Sequence, residues 1–255
     1  MKILLNQFNP EWENTPANLE KLRAQKNLVL SIAPELIVLP EMFNSGFSMA
    51  ASQIAESITG PTLKFLQAYA QDCSAQILAG LALKRGEQRI TNSAVFIDAY
   101  GKLLSVYDKI HPFTYAGESA HYAAGENSCI VNIHGISCAV FICYDLRFPE
   151  LFRAVAKQVE VIFVIANWPE ARVEHWFTLL KARAIENQCY VVGLNRTGTD
   201  GNGLHYQNST AVFDSLGKSV EITWHSHEIG TVEIDAATVQ KTRTDLPFLQ
   251  DFRGL

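Results

Sequence analysis

A chain of 255 residues with 48% hydrophobic and 18% charged side chains has ample apolar material for one large core and does not read as disordered. Its net charge of −5 leaves no basic footprint, so neither nucleic acid nor a membrane surface is expected as a partner. No apolar segment approaches the roughly 20 residues of a membrane helix, and the N-terminal run through Phe8 is too short for a signal-peptide core. Five cysteines (Cys73, Cys129, Cys138, Cys143, Cys189) include no Cys-x-x-Cys pair, so free thiols in a reducing, cytoplasmic setting are expected.

Short apolar runs alternate with amphipathic stretches, the pattern of a layered α/β domain. Residues 2–8 read as a strand, and 16–31 as a helix carrying Leu19, Leu22, Leu28 and Val29. Residues 36–39 form a buried strand that stops at Pro40, which cannot extend a ladder, so Glu41 stands just past a strand end. A helix over 61–71 opens on Pro61. Strands over 77–83 and 93–98 follow, then a turn at 98–101 and a returning strand through Val106, with Lys109 just beyond it. A hairpin of 129–133 and 136–143, turning at His134-Gly135, delivers Cys143 to a strand end with a helix start behind it. Helix 150–157, strand 161–165 and helix 173–187, with Trp176, Leu180 and Ala184 on one stripe, come next. Strands 190–194, 210–213 and 229–234 close the periodic part, with a turn at 216–218. Residues 244–255 have aromatics but no periodicity and are expected to pack on a partner chain rather than form an element. No linker, repeat or low-complexity stretch divides the chain, which reads as one domain over 1–255.

Cys143 is the first residue to suggest chemistry. A strand-to-helix turn holds a side chain up on a rigid edge, and the helix start contributes partial positive charge that favours thiolate. A lone cysteine is more often inert packing, but Glu41 and Lys109 also follow strand ends, where sites of open α/β sheets assemble. A free thiol titrates near 8.5, so only a few per cent is thiolate at neutral pH and it needs activation. A desolvated Glu41 can take its proton, and Lys109 can supply positive charge to the thiolate and to an oxyanion.

Three segments then stand out together: Leu39-Pro40-Glu41-Met42-Phe43, Tyr107-Asp108-Lys109-Ile110-His111, and Cys143-Tyr144-Asp145-Leu146-Arg147-Phe148-Pro149-Glu150. In that order they resemble the three signatures of the nitrilase superfamily of carbon-nitrogen hydrolases, and the resemblance covers nearly the whole chain. It implies a four-layer α-β-β-α sandwich that assembles as a homodimer or higher homo-oligomer. It further implies a Glu-Lys-Cys catalytic set at Glu41, Lys109 and Cys143, a supporting glutamate at Glu118, and an oxyanion hole completed by the backbone N–H of Tyr144. The resemblance also implies a thioester on Cys143, with neither metal nor organic cofactor taking part.

Residues 39–47, 167–172 and 195–201 resemble the bacterial ω-amidase branch, which implies short ω-amido keto acids (2-oxoglutaramate, 2-oxosuccinamate) as substrates. Such a pocket needs a cation for the distal carboxylate; Arg147, Arg172 and Arg196 are candidates, and Phe43, Tyr115, Tyr144 and Trp168 are candidate walls. Arg147 also has a structural reading, in an ion-pair network with Asp145 and Glu150 around the turn. Sibling activities remain open at this point: nitrilase, N-carbamoyl amidase, aliphatic amidase and deaminated-glutathione amidase. So do a Cys-His hydrolase using His111 or His175 as base, and a non-catalytic thiol-bearing binding protein. The run His225-Ser226-His227-Glu228 reads as a surface turn with no matched ligand pair, against a metal role.

Overall fold

The computed structural model describes residues 1–86 and 89–253. Two sheets lie face to face. The first runs, edge to edge, Thr223–Trp224, Ile229–Glu233, Lys2–Asn6, Leu36–Val38, Gln76–Lys84, Ile90–Ile97 and Leu103–Asp108, with Glu56–Ser57 paired to the end of Gln76–Lys84. The second runs Ser219–Val220, Ala211–Phe213, Tyr190–Asn195, Val161–Ala166, Ile136–Ile142 and Ile130–Ile133. Both are parallel at the centre: Leu36–Val38 runs parallel to both neighbours in the first, and Val161–Ala166 to both neighbours in the second. Parallel strands are covered on both faces, and every residue of Val161–Ala166 and Tyr190–Asn195 is buried.

The strand alternation sorts side chains between layers. In the first sheet Leu4, Ile37, Leu39, Ile77 and Ala79 pack with Leu22, Val29, Leu66 and Tyr69 from the helices Thr15–Ala24, Lys26–Ile32 and Pro61–Cys73. Their neighbours Ile3, Leu5, Leu36, Val38 and Leu78 join the core shared with the second sheet. Helices Pro149–Val155 and Val173–Asn187 add Phe152, Trp176, Leu180 and Ala184 to that core. The architecture is the four-layer α-β-β-α sandwich expected from the sequence. No helix among the described residues is long and apolar enough to cross a membrane.

Several elements differ from the sequence reading. The helix expected over 16–31 is two helices hinged at Gln25, whose side chain accepts from Asn6 and donates to Glu228. The strand expected from residue 93 begins at Ile90, because Thr91, Asn92 and Ser93 are polar yet buried. The hairpin turns at His134 and Gly135, as expected; both have positive φ, which the two-residue loop requires. A C-terminal helix, Ala236–Asp245, was not legible: it buries only Val239 and Thr242, too little for an apolar stripe, and is started by Asp235 accepting from the Ala237 N–H. Beyond it Phe248–Gln250 forms a short 3-10 turn, and residues 254 and 255 of the expected tail lie outside the described residues. Leu249 is buried, and the Phe252 ring lies by the guanidinium of Arg153.

Among the described residues all five cysteines are unbridged and buried. Burial holds the Cys189 thiol up at about 12 and pushes Cys138 still higher. The unfolded chain ionises these thiols near 8.5, so the folded state keeps protons that the unfolded state loses. Their contribution is full below that value and is lost as pH rises toward the folded-state values. The urea midpoint is expected to fall between about pH 8 and about pH 11; a midpoint that holds constant across that window contradicts this account.

Candidate active site

The candidate site forms at the edge where the strands Leu36–Val38, Leu103–Asp108, Ile136–Ile142 and Val161–Ala166 end, followed closely by Glu41, Lys109, Cys143 and Asn167 respectively. Glu41 comes after Pro40 on a chain that turns back at Met42, which adopts φ 47°. The neighbouring strand makes room with Gly80. A Cβ there would stand 2.5 Å from the Glu41 Cα and 2.7 Å from the Pro40 carbonyl oxygen, so no other residue fits without moving the carboxylate.

Lys109 is placed by strand pairing: its N–H donates to the Asn92 carbonyl at 2.8 Å. Asp108 beside it accepts from the hydroxyls of Thr91 and Ser93 at 3.0 and 2.7 Å. The Lys109 Nζ reaches Glu41 Oε1 at 3.0 Å and Glu118 Oε2 at 2.8 Å, with all three side chains at 1% exposure or less. Asn92 Nδ2 donates to Glu41 Oε1 at 2.7 Å and to Glu118 Oε1 at 2.8 Å. The second Glu41 oxygen accepts from the Asn167 N–H at 2.8 Å and from Asn167 Nδ2 at 3.2 Å. Glu118 also accepts from the Phe113 N–H, which ties down the loop roofing the site.

Cys143 takes φ 47°, a left-handed conformation that costs a non-glycine residue about 1 kcal/mol or more. The short 3-10 turn Cys143–Arg147 is fastened from beneath. Asp145 Oδ2 accepts from the Ile142 N–H at 3.0 Å and from the Tyr107 hydroxyl at 2.7 Å, while Arg183 Nη2 donates to the Leu146 carbonyl at 2.9 Å. These bonds outweigh the strain and leave the thiol facing Asn167, whose carbonyl lies 3.7 Å from Sγ. The Tyr144 N–H falls in the first turn of that helix, where amides have no intrahelical acceptor.

The electrostatics differ from the expectation of a ready thiolate. Burial pushes the Cys143 thiol well above its usual value; the Glu41 carboxylate adds to the shift, and Lys109 opposes it. Burial also disfavours the ammonium of Lys109, but Glu118 and Glu41 outweigh it and hold the amine charged beyond the ordinary lysine range. With two carboxylates on one ammonium, the surroundings of Cys143 are net negative and the resting sulfur carries its proton.

A cavity of about 100 Å³ opens over Cys143. Arg147, Trp168 and Arg172 line it, as does the Tyr144 side chain. The Arg147 guanidinium lies over the Trp168 ring at 4.7 Å, and Arg172 lies 5.6 Å from the Phe113 ring. Two expected walls are elsewhere. Phe43 is fully buried in the helix-facing core, edge-on to Phe8 at 6.0 Å, and Tyr115 is 89% exposed on the outer side of its loop. Arg196 does not line the cavity either: it is buried behind it, donating to Asn9 and the Thr199 carbonyl under the Tyr206 ring. The ion-pair network expected around the turn is absent among the described residues. Asp145 instead holds Tyr107 and His111, and Arg147 meets His175 at 3.3 Å. Neither histidine is a hydrogen-bond partner of Cys143, which removes the structural basis for a Cys-His pair. Among the described residues no group of three or more His, Cys, Asp or Glu could hold a metal ion.

A family model for carbon-nitrogen hydrolases matches residues 3–244. The chain belongs to the carbon-nitrogen hydrolase family. This hydrolase is 38% identical to omega-amidase YafV of Escherichia coli (strain K12) over 98% of its own length and 96% of the relative's. It is 30% identical to 2-oxoglutaramate amidase of Bacillus subtilis (strain 168), over 86% of this chain and 85% of that one. Among solved structures it resembles XC1258 from Xanthomonas campestris, a CN-hydrolase superfamily protein, at a TM-score of 0.93 and 34% identity, covering 100% of this chain and 98% of that one. It is thus an enzyme of the amidase type, hydrolysing carbon-nitrogen bonds in small-molecule amides.

Residues of the candidate site that sequence reasoning did not single out include Asn92, Asn167, Asp200 and Tyr206. Asn167 and Asn92 bond Glu41 directly, while Asp200 and Tyr206 line the cavity and bond each other at 2.8 Å. The available signal for Asn92 was three successive polar residues at the head of an otherwise apolar strand. Gly80→Ala tests the close approach behind Glu41. The fold should persist with a loss of about 1–3 kcal/mol in urea unfolding, while activity falls about a hundredfold because the carboxylate is displaced. Full activity in this variant contradicts the account.

Proposed function

We propose that this hydrolase releases ammonia from the terminal amide of short ω-amido keto acids such as 2-oxoglutaramate and 2-oxosuccinamate, through a thioester on Cys143. The observation that carries the reading is the buried Glu41–Lys109–Glu118 group beside the Cys143 thiol at the cavity floor. As sulfur attacks the amide carbon, its proton passes to Glu41, so thiolate need not accumulate beforehand. The carbonyl oxygen gains negative charge, which Lys109 and the Tyr144 N–H stabilise. Glu41 returns the proton to the departing nitrogen and ammonia leaves. Glu41 then takes a proton from water as it attacks the thioester, and passes that proton to the departing sulfur, restoring the thiol. Glu118 keeps Lys109 charged and fixed.

The relatives' activities support the amide class, and the cavity supports the acid class. Two half-buried guanidiniums and the Trp168 ring make a short pocket suited to a carboxylate at one end and a planar amide at the other. A second copy of the chain is expected to assemble with the first, and the chain to work as one domain.

Cys143→Ala is expected to abolish ammonia release from 2-oxoglutaramate with the circular dichroism spectrum unchanged, and Glu41→Gln to lose at least about a hundredfold in kcat; full activity in either sinks the mechanism. Arg147→Met and Arg172→Met separate the carboxylate site from the chemistry. At least one should raise KM about tenfold to a hundredfold with kcat little changed, the signature of lost ground-state binding. If both leave KM unchanged while a panel of nitriles, carbamoyl amino acids and neutral amides shows a better substrate, the keto-acid assignment fails.

A further inference from the structure

We propose that Asn92 is a positioning residue that insulates Glu41 from Glu118, keeping the two carboxylates from sharing a proton. The inference rests on the reading above in which Glu41 is the base. Asn92 is 1% exposed, and its single amide nitrogen gives one hydrogen to Oε1 of each glutamate, at 2.7 and 2.8 Å. Both neighbours are acceptors, so only the NH₂ end of the amide can face them. Among the described residues its Oδ1 has no hydrogen-bond partner. A buried acceptor left unpaired is destabilising, so the residue is suited to this position by its two donors rather than by a balanced network.

Two carboxyl groups in one dry site tend to hold a single proton between them, because both cannot ionise side by side. Once shared, that proton occupies the oxygen that must receive the Cys143 hydrogen. A doubly donating amide bonded to both Oε1 atoms occupies a lone pair on each that a shared proton would need. The titratable groups facing the pair are Lys109, which donates to both carboxylates, the Cys143 thiol, and Tyr122, whose hydroxyl donates to the Ser48 carbonyl, while Asn167 and the Phe113 N–H donate to Glu41 and Glu118 respectively. Lys109 alone bridges the pair from one side; Asn92 supplies the second bridge.

The sign of the pH effect follows. Removing donors that stabilise a carboxylate raises its titration, so loss of Asn92 moves the acidic limb of kcat/KM to higher pH. The test compares pH profiles of ammonia release from 2-oxoglutaramate for the full chain and for Asn92→Leu, Asn92→Ser, Glu41→Gln, and Asn92→Leu combined with Glu118→Gln. Asn92→Leu is expected to lose about tenfold to a hundredfold in kcat near neutral pH with KM nearly unchanged. Its acidic limb should move up by about one unit or more, and an infrared band of a protonated carboxyl should appear that the parent protein lacks. Asn92→Ser, which keeps one donor, should shift the limb in the same direction by less, and it carries the test if the leucine variant does not fold. Adding Glu118→Gln removes the sharing partner and should return the limb toward lower pH. A uniform loss of activity with an unmoved limb, or a limb that Glu118→Gln does not restore, overturns the insulation. Retained activity in Glu41→Gln instead overturns the base assignment, and the infrared comparison then still decides whether Asn92 keeps the two carboxyls apart.

Discussion

The ammonium of Lys109, sealed from water between Glu41 and Glu118, is the interaction on which the rest of this site depends. Stripping three charges of solvent is costly, and such a group stabilises a fold little compared with well-packed apolar residues. It persists only where each lone pair and proton is matched, and here Asn92, Asn167 and the Phe113 N–H complete the matching. The group also fixes the local sign of charge. One positive and two negative members leave Cys143 beside an excess of negative charge, which together with burial holds it as a thiol.

The fold serves this arrangement by converging strand ends from both sheets. Glu41 and Lys109 come from the first sheet, Cys143 and Asn167 from the second, so the site is assembled across the sheet interface. Each contributor is fixed by a local device: a missing Cβ at Gly80, backbone pairing of Lys109 with Asn92, and the Asp145 and Arg183 bonds under the left-handed turn at Cys143. Each of these devices sets where the side chain of Glu41, Lys109 or Cys143 stands.

Much of this was legible in the chain, for identifiable reasons. Apolar runs that stop abruptly mark strand ends, and Glu41, Lys109 and Cys143 each follow one; Glu118 came from the family resemblance, and the structure brings all four together. Alternation told which residues are buried but not against which layer. That is why Phe43, next but one to Glu41, was expected in the pocket and lies instead among the helices. Aromatic character did not report exposure, as Tyr115 shows. Asn92 was hidden because buried polar residues look like loop in a sequence, and their partners lie far away along the chain. The helix Ala236–Asp245 was hidden for the reverse reason: it is held by Arg243 donating to the Val159 and Ala156 carbonyls rather than by an apolar stripe.

The position of the Lys2–Asn6 strand has a kinetic meaning. It lies inside the first sheet, parallel to Leu36–Val38 on one side and antiparallel to Ile229–Glu233 on the other, with Lys2 opposite Glu233. This strand therefore acquires its antiparallel neighbour only after the long intervening segment has been synthesised. Closing so long a loop carries an entropic cost and slows folding. Until then one edge of Ile3-Leu4-Leu5 is unpaired, so folding passes through a stage in which this apolar strand edge is a surface in need of shielding.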